Sequence, residues 1–371
     1  MQLKSLIRYP IDIRRARRML AKKQPVHDSL DCQNRPIVLD LRTPQLLFDC
    51  GRHFASLAHY AQCAGSPFLV RSSQLLLSSI ARKIHGREML ADSHAQWMPT
   101  NKPLPDSAHV LCDYDSPEHI QMMIGRDIDL AIPVMPYPMH PATLPFAGDE
   151  QLQQLRQVSR AGVLFAGNQK PKYGAAKIAQ NFGVMSRLEM LDRIAKQFPG
   201  RVVNSVSNRS VARPIVISDS RVDKIDASEW LPTLARFQFF LCCPGASQPT
   251  CHNMVEAMSV GTVPIIEYAD RVTPRLEDGV NAICFSGADG LDQAIQRIER
   301  FSAQQLRELS QNAARFYDQH LCGTKFLAGL RDGKFDLSAG KICLPFHEHN
   351  FYESALPKSV AGSDPSARRA A

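Results

Sequence analysis

The chain has 371 residues, of which 44% are hydrophobic and 22% are charged, and its formal net charge is +8. This length suits two domains better than one core, and the composition is ordinary for a soluble globular protein. The longest apolar runs have the length of strands, so we expect no helix that crosses a bilayer. We also expect no secretory signal, because no continuous apolar stretch follows the basic N-terminus.

The positive charge is concentrated in residues 1–24. They hold eight lysines and arginines against the single acid Asp12, so seven of the eight excess charges lie there. Apolar residues are interleaved, which favours a segment lying on an anionic membrane surface, where each cation contributes up to about 1 kcal/mol. The alternatives are a solvated basic arm and a helix packed on its own protein. The sequence around this basic segment does not indicate a basic groove with interleaved aromatic residues, so we expect no nucleic-acid partner.

Residues 1–30 form the basic N-terminal segment. In residues 31–145, apolar runs alternate with helical patterns, which predicts an α/β domain with a parallel sheet. Strands are predicted at residues 37–39, 67–71, 109–112 and 129–133. Helices are predicted at residues 46–63, 73–83 and 118–124, the second capped by Ser73. An irregular excursion containing Trp97 is predicted over 85–106. The proline-rich stretch 133–145 is typical of a hinge that leaves a domain.

Residues 146–330 repeat the alternation and predict a second domain of the same kind. Its predicted strands are 162–166, 202–206, 215–218, 239–243 and 263–266, and its predicted helices include 151–159, 187–198, 227–237, 288–301 and 303–320. Residues 331–371 are predicted as a C-terminal extension with a disordered tail. The predicted fold class is therefore α/β, with two Rossmann-like, doubly wound domains facing a cleft. Ten cysteines without a C-x-x-C pair indicate reduced thiols in a cytoplasmic protein.

The most informative stretch is residues 239–285. Its first apolar run ends at Pro244-Gly245, a helical pattern from about Cys251 carries Glu256, and a second apolar run covers 263–266. This βαβ unit places the turn at the carboxyl edge of a parallel sheet. Helix N-termini at that edge point backbone N–H groups outward and bind anions.

Residues 256–258, Glu-Ala-Met, and 261–266, Gly-Thr-Val-Pro-Ile-Ile, resemble the donor-site segment of GT-B glycosyltransferases. The preceding FFLCCPG is most similar to the exostosin-like branch, and the whole to the C-terminal domain of glycosyltransferase group 1. The resemblance implies that Glu256 accepts hydrogen bonds from the ribose of a nucleotide sugar. It also implies no cofactor and no obligatory metal. Many retaining members carry two glutamates separated by seven residues, and the first position here is Gln248, so the stereochemistry stays open.

The resemblance also implies where the donor binds. The loop after the first strand of the second domain carries cations at the place where such enzymes meet the donor diphosphate, and Arg187 opens the next helix. The alternatives are an exposed basic loop, a surface arginine and, for Glu256, a structural salt bridge to Arg271 or Arg275. The expected donor-binding residues are Gly167, Asn168, Lys170, Lys172, Tyr173, Arg187, Gly245, Gln248, His252, Asn253 and Glu256.

An inverting transferase needs a general base on the acceptor side, normally from the first domain. Asp40 ends the first predicted strand, His53 lies on the following helix, and His140 falls at the hinge. These three are the catalytic candidates, each weighed against a structural role. A retaining enzyme needs no base of this kind, so the role itself stays open.

The leading hypothesis is a glycosyltransferase that moves a sugar from a nucleotide sugar to a saccharide or lipid-linked saccharide. Such an activity belongs to the biosynthesis of cell-surface polysaccharide or lipopolysaccharide, on the inner face of the cytoplasmic membrane. One alternative is a GT-B-like sugar-nucleotide epimerase. The other is a non-catalytic subunit that binds a nucleotide sugar.

Overall fold

The computed structural model describes residues 3–21, 35–43, 52–81, 84–91, 95–124, 131–207, 213–246 and 248–344. Within these ranges the chain forms two six-stranded sheets, and every paired strand runs parallel to its neighbours. Strands and helices are numbered below in chain order.

The first sheet has the strand order β3-β2-β1-β4-β5-β12. Its strands are β1 (Ile37–Asp40), β2 (Phe68–Arg71), β3 (Ala95–Met98), β4 (His109–Cys112), β5 (Ile120–Ile124) and β12 (Lys341–Leu344). The helices of this part are α1 (Leu3–Ala21), α2 (Arg52–Cys63), α3 (Gln74–Ile80) and α4 (Ile84–Ala91). Ser73 caps α3 as predicted, because its hydroxyl accepts a hydrogen bond from the Leu76 N–H at 3.1 Å.

The second sheet has the strand order β7-β8-β6-β9-β10-β11. Its strands are β6 (Val163–Gly167), β7 (Val202–Val203), β8 (Ile215–Asp219), β9 (Phe239–Leu241), β10 (Val263–Ile266) and β11 (Ile283–Cys284). The helices are α5 (Asp149–Leu155), α6 (Lys177–Phe182), α7 (Arg187–Gln197), α8 (Ala227–Ala235), α9 (His252–Ser259), α10 (Gly287–Arg297), α11 (Ala303–Phe316) and α12 (Gly323–Arg331).

Each sheet has a switch point, where the connections of two neighbouring strands leave in opposite directions. It lies between β1 and β4 in the first sheet. In the second sheet it lies between β6, from which the chain continues to β7 and β8 on one side, and β9, from which it continues to β10 and β11 on the other. Ligands of open α/β sheets bind at the carboxyl ends of strands at such switch points. One cleft is lined by residues of both parts of the chain. These features confirm the predicted fold class, α/β with two Rossmann-like domains facing a cleft, the arrangement called GT-B.

Two segments of the first domain differ from the sequence prediction. The segment predicted as a helix at 118–124 forms strand β5, which pairs with β4 and β12. The predicted excursion 85–106 contains helix α4 and strand β3. Trp97 in β3 donates its Nε1–H to the Ser72 carbonyl at 3.0 Å. Both strands are short and pair with distant segments, so their local sequence pattern does not distinguish them from helix or loop. The strand predicted at 129–133 is not formed by its described part, because residues 131–133 are a turn and irregular backbone; residues 129–130 lie outside the described residues.

The C-terminal part of the chain returns to the first domain. A π-helical turn, Tyr317–Leu321, leads from α11 into α12, which packs on α2, and β12 then joins the edge of the first sheet. Residues 341–344 are thus part of a core sheet and not of an extension, because β5 offers them an unpaired edge. The predicted domain boundary at residue 145 falls in the link between β5 and α5. The predicted disordered tail lies outside the described residues.

Helix α1 packs on its own protein, against α3 and α4. Ala16 is fully buried, and the Arg17 Nε–H donates to the Gln74 side chain at 2.9 Å. The exposed face carries Arg14, Arg15, Arg17 and Arg18. Among the described residues, no helix has both the length and the apolar character needed to cross a membrane.

Candidate functional site

The candidate site is the cleft between the two domains, with a volume of about 960 Å³. Its wall on the side of the first domain and the link is formed by Arg52, His53, Tyr137, His140, Ala142 and Thr143. Its second-domain wall comes from the loops at the carboxyl ends of β6, β8 and β9 and from the start of α9. Twelve of the fourteen predicted site residues line it: His53, His140, Gly167, Asn168, Lys172, Tyr173, Arg187, Gly245, Gln248, His252, Asn253 and Glu256.

Arg187 is a buried cation beside the cleft. A capping box between Ser186 and Glu189 starts α7 and makes Arg187 its first residue. Its guanidinium donates to the Asn168 carbonyl at 2.8 Å and twice to the Pro244 carbonyl, at 3.0 and 3.2 Å. The side chain lies 3.9 Å from the centre of the Tyr173 ring, a cation–π distance.

The charge of Arg187 is not neutralised by a carboxylate of the described residues. Only 6% of the residue is exposed, and its hydrogen bonds go to carbonyl oxygens alone. A buried charge needs a partner of opposite sign to offset its desolvation, and carbonyl dipoles supply only part of it. An anion bound at this corner of the cleft would supply the missing partner.

Further donors surround that corner. Lys172 is exposed and lines the cleft, and α9 begins at His252 with its backbone N–H groups directed outward. A side chain at Gly245 would place its Cβ 2.8 Å from the Gln248 carbonyl oxygen, so the tight turn before α9 requires glycine. A diphosphate placed here would meet a guanidinium, an ammonium group and a helix N-terminus.

Glu256 is enclosed beneath the cleft surface. One carboxylate oxygen accepts the backbone N–H of His140 at 2.9 Å. The other accepts Trp230 Nε1–H at 2.7 Å and lies 2.9 Å from His252 Nδ1. Burial by itself raises the pKa of Glu256, but His252 and the three hydrogen bonds outweigh it and lower the pKa to about 2.

This environment bears on the expectation that Glu256 binds a ribose directly, which stays a prediction. The residue is 0% exposed and its oxygens accept protein donors, so a ribose hydroxyl would have to displace one of these donors. The alternative salt bridge to Arg271 or Arg275 is not formed. Arg271 instead lies 3.9 Å from Asp270. The partner is His252, one helical turn earlier on α9.

Two histidine rings face each other at the interdomain junction. The centres of the His140 and His252 rings are 5.1 Å apart. The Ala142 N–H lies 3.2 Å from His140 Nδ1, which must therefore accept the hydrogen bond. The neutral His140 ring consequently carries its proton on Nε2. The two rings thus bring together one residue from the link and one from the donor-side helix.

Two amide side chains of the cleft lining have oxygen atoms without a hydrogen-bond donor among the described residues. Gln248 Nε2–H donates to the Tyr137 hydroxyl at 3.0 Å, which joins the two parts of the chain. The Gln248 Oε1 and Asn253 Oδ1 atoms are buried and have no hydrogen-bond donor among the described residues. Buried carbonyl oxygens without donors are costly unless a ligand supplies them. Hydroxyl groups of a bound sugar would satisfy both after rotation of the two amide groups towards the cleft.

Asp40 and Lys170 are the two predicted site residues that do not line the cleft. The Asp40 Oδ2 atom accepts from Arg71 Nη1 at 2.7 Å and from the Tyr114 hydroxyl at 2.6 Å. Asp40 is 0% exposed, so its carboxylate has a structural role and cannot act as a base on a substrate. Lys170 is exposed, and its backbone N–H donates a hydrogen bond to Asn168 Oδ1 at 2.9 Å.

The loop between β8 and α8 lines the cleft and was missed by the sequence analysis. Asp219 ends β8, and a polar run follows it at the carboxyl edge of the sheet. Ligands of open α/β sheets bind at the carboxyl ends of the strands, and this rule applies to the loop after β8 as it does to the loops after β6 and β9. The lining residues that it contributes, with α8, are Ser220, Asp223, Lys224, Ile225, Asp226, Ala227 and Trp230.

A search of the described residues for three or more neighbouring histidine, cysteine, aspartate or glutamate side chains able to hold a metal ion found no such group. In the same part of the chain the cysteines form no disulfide.

No family model and no curated protein sequence matches the chain. Among solved structures, Anabaena Alr3699/HepE in complex with UDP and glucose is 11% identical, covers 82% of this chain and all of its own, and has a TM-score of 0.42. A glycosyltransferase from Rickettsia africae is 8% identical, covers 81% of this chain and 98% of its own, with a TM-score of 0.39. WaaG, a glycosyltransferase involved in lipopolysaccharide biosynthesis, is 8% identical over 80% of this chain and all of its own, with a TM-score of 0.36. Similarities of this size assign no family and no function to the chain.

Proposed function

We propose that this protein is a glycosyltransferase that moves a sugar from a nucleoside diphosphate sugar to a saccharide or lipid-linked saccharide. The observation that carries the proposal is Arg187, a buried guanidinium at the switch point of the second sheet that has no carboxylate partner in the described part of the chain. Such a cation binds the diphosphate of the donor and stabilises the charge that develops on it as the sugar leaves. Lys172 and the N-terminus of α9 add to the same effect.

The donor would lie along the second-domain wall, with its diphosphate at the Arg187 corner. Gln248 and Asn253 line the cleft, and rotation of each amide group would bring its oxygen, which has no donor among the described residues, to the hydroxyl groups of the transferred sugar. Because Glu256 is enclosed, the carboxylates left in the described lining for ribose hydroxyls are Asp223 and Asp226. Side chains and a helix end hold the diphosphate in this arrangement, so we propose that transfer needs no metal ion.

The acceptor would bind against the wall that carries Arg52, His53 and Tyr137. The exposed arginines of α1 fit an acceptor at an anionic membrane surface, and we propose a peripheral position on the cytoplasmic face of the membrane. Synthesis of a cell-surface polysaccharide or of lipopolysaccharide is the pathway class that combines such an acceptor with a cytoplasmic sugar donor.

Calorimetric titration with nucleoside diphosphates tests the proposal. UDP, GDP and ADP are compared with uridine, guanosine and adenosine, and at least one diphosphate should bind far more tightly than its nucleoside. The Arg187→Met substitution should weaken the binding of that diphosphate about 10- to 100-fold. This factor corresponds to the loss of a charge-assisted contact of about 1.5–3 kcal/mol. Arg193→Met is the matched control, because Arg193 lies on the same helix and pairs with Asp292 at the surface.

Failure of every diphosphate to bind, or unchanged affinity in a folded Arg187→Met variant, would contradict the assignment.

Product analysis then separates the three candidate activities. A donor with a labelled sugar yields a new glycoside with a transferase, an isomeric donor with an epimerase, and unchanged donor with a binding subunit. Turnover in the presence of EDTA should equal turnover without it, and its loss would overturn the proposed metal independence.

A further inference from the structure

Glu256 fixes which nitrogen of His252 carries the proton. Its ionised carboxylate oxygen can only accept hydrogen bonds, and it lies 2.9 Å from His252 Nδ1. Nδ1 must therefore carry hydrogen, and in the neutral ring Nε2 is left with a lone pair. A carboxylate that holds an imidazole in this tautomer is the arrangement that makes histidine a proton acceptor in hydrolases on unrelated folds.

The His252 ring is accessible from the cleft. The side chain is 24% exposed and lines the cleft at the first residue of α9, whereas Glu256 is 0% exposed and both of its oxygens accept hydrogen bonds from the protein. Among the described residues no group makes a hydrogen bond to His252 Nε2. The titratable groups facing this ring are Glu256 on its own helix and His140 on the interdomain link.

The other histidines of the cleft are less suited to accept a proton. His140 accepts the Ala142 N–H at Nδ1, so its Nε2 is a donor in the neutral ring. His53 is only 3% exposed and lies edge-on to Tyr137, with ring centres 5.7 Å apart. The described lining on this side contains no carboxylate. His252 is therefore the residue of the described lining best placed to take a proton from an acceptor hydroxyl.

We propose that His252 is the general base of the transfer and that Glu256 is its positioning residue, an inference that rests on the proposed function. The acceptor hydroxyl gives its proton to Nε2 as its oxygen bonds to the anomeric carbon. The bond between that carbon and the diphosphate oxygen breaks, and its electron pair leaves with the nucleoside diphosphate beside Arg187. The imidazolium then releases the proton to water. This single displacement inverts the anomeric configuration.

The test uses the full-length protein and the UDP-, GDP- or ADP-sugar whose diphosphate binds in the titrations above, with water and simple methyl glycosides as acceptors. In His252→Gln the kcat should fall about 10²- to 10⁴-fold, while the Kd of the nucleoside diphosphate stays within about threefold of wild type. The acid limb of the kcat–pH profile should disappear. His320→Gln is the matched control, because His320 is exposed and does not line the cleft.

Glu256→Gln tests the positioning role. Its neutral amide is a weaker acceptor than the carboxylate, and either orientation places the NH₂ group against a protein N–H donor, so the Nδ1–H tautomer of His252 is no longer held. The kcat should therefore fall while diphosphate affinity is preserved, as in His252→Gln. Thermal melts of both variants identify loss of folding. If one variant fails to fold, the other variant and the product stereochemistry of the wild type decide the question. Proton NMR of the first-formed product should show inversion.

Retention of configuration overturns the proposal, as does an unchanged acid limb in the His252 variant. A loss of diphosphate affinity as large as the loss of kcat also overturns it, and makes His252 a phosphate ligand. These outcomes leave the proposed function intact. Absence of any nucleoside diphosphate binding by the wild type overturns the proposed function itself, and this inference with it.

Discussion

The Glu256→Gln substitution gives the most direct test of the network beneath the cleft. The network lowers the pKa of Glu256 from 4.5 to about 2, and each pH unit of depression is worth about 1.4 kcal/mol. The ionised carboxylate thus contributes ~3 kcal/mol to the free energy of unfolding at neutral pH. Because the folded pKa is depressed, this stability is present above about pH 4.5 and is lost as the pH falls towards 2.

Chemical unfolding followed by far-ultraviolet circular dichroism, at pH values from 7 to 3, measures this contribution. Wild type should exceed Glu256→Gln by ~3 kcal/mol at pH 7 and by only ~1.5 kcal/mol at pH 3. Asp192→Asn is the control, because Asp192 is exposed and pairs with Lys196 at the surface, so its effect should stay within about 0.5 kcal/mol. A difference that does not change with pH would refute an ionised, network-bound Glu256.

Three further predictions concern other parts of the molecule. Gly323→Ala should lower the free energy of unfolding by about 1–3 kcal/mol, because the new Cβ would lie 2.4 Å from the Tyr60 ring, and unchanged urea unfolding would contradict this packing. Lys172→Met should lower kcat more than it weakens nucleoside diphosphate binding, since a cation at the leaving group acts mainly in the transition state; the surface variant Lys196→Met should keep wild-type kinetics. Deleting residues 1–21 removes the exposed arginines of α1 and should abolish low-salt co-sedimentation with anionic vesicles, and undiminished sedimentation would count against a membrane role for α1.

The central strands of both sheets were predictable because their residues are buried on both faces. β1, β9 and β10 consist entirely of buried residues, which the sequence shows as continuous apolar runs. β5 was not predictable in this way. Met122 is buried and Met123 is 38% exposed, a two-residue alternation too short to separate a strand from a helix. Its partner β12 lies more than two hundred residues later, so the pairing that defines it is absent from the local pattern.

The cleft was predictable to the extent that it follows from the edges of parallel strands. That rule placed Gly245 in the cleft lining, and the family resemblance placed Gly167 and Arg187 there, because the loops after β6 and β9 meet at the switch point. The same rule misplaced Asp40, since the end of a strand does not reveal that Arg71 and Tyr114 close over it. Contacts between residues that are distant in sequence decide which edge residues stay accessible.

The role of Glu256 shows where a sequence pattern stops being informative and where a further signal was available. A carboxylate within an apolar helix predicts that a hydrogen-bond donor lies beside it. The sequence does not show whether that donor belongs to a ligand or to the protein. The i, i+4 spacing of His252 and Glu256 places both on one helix face and pointed to an internal pair. The donors from Trp230 and the His140 backbone lie on other elements and required the fold.

The same network ties the proposed chemistry to the relative position of the two domains. Glu256 holds His252 on one side and accepts the His140 backbone N–H of the interdomain link on the other. Gln248 reaches across the cleft to Tyr137 in the same way. A rotation of one domain against the other would therefore lengthen hydrogen bonds that orient His252. In the proposed mechanism the base is therefore correctly oriented only in the domain arrangement that keeps these hydrogen bonds, so a movement of the domains would switch acceptor activation on and off.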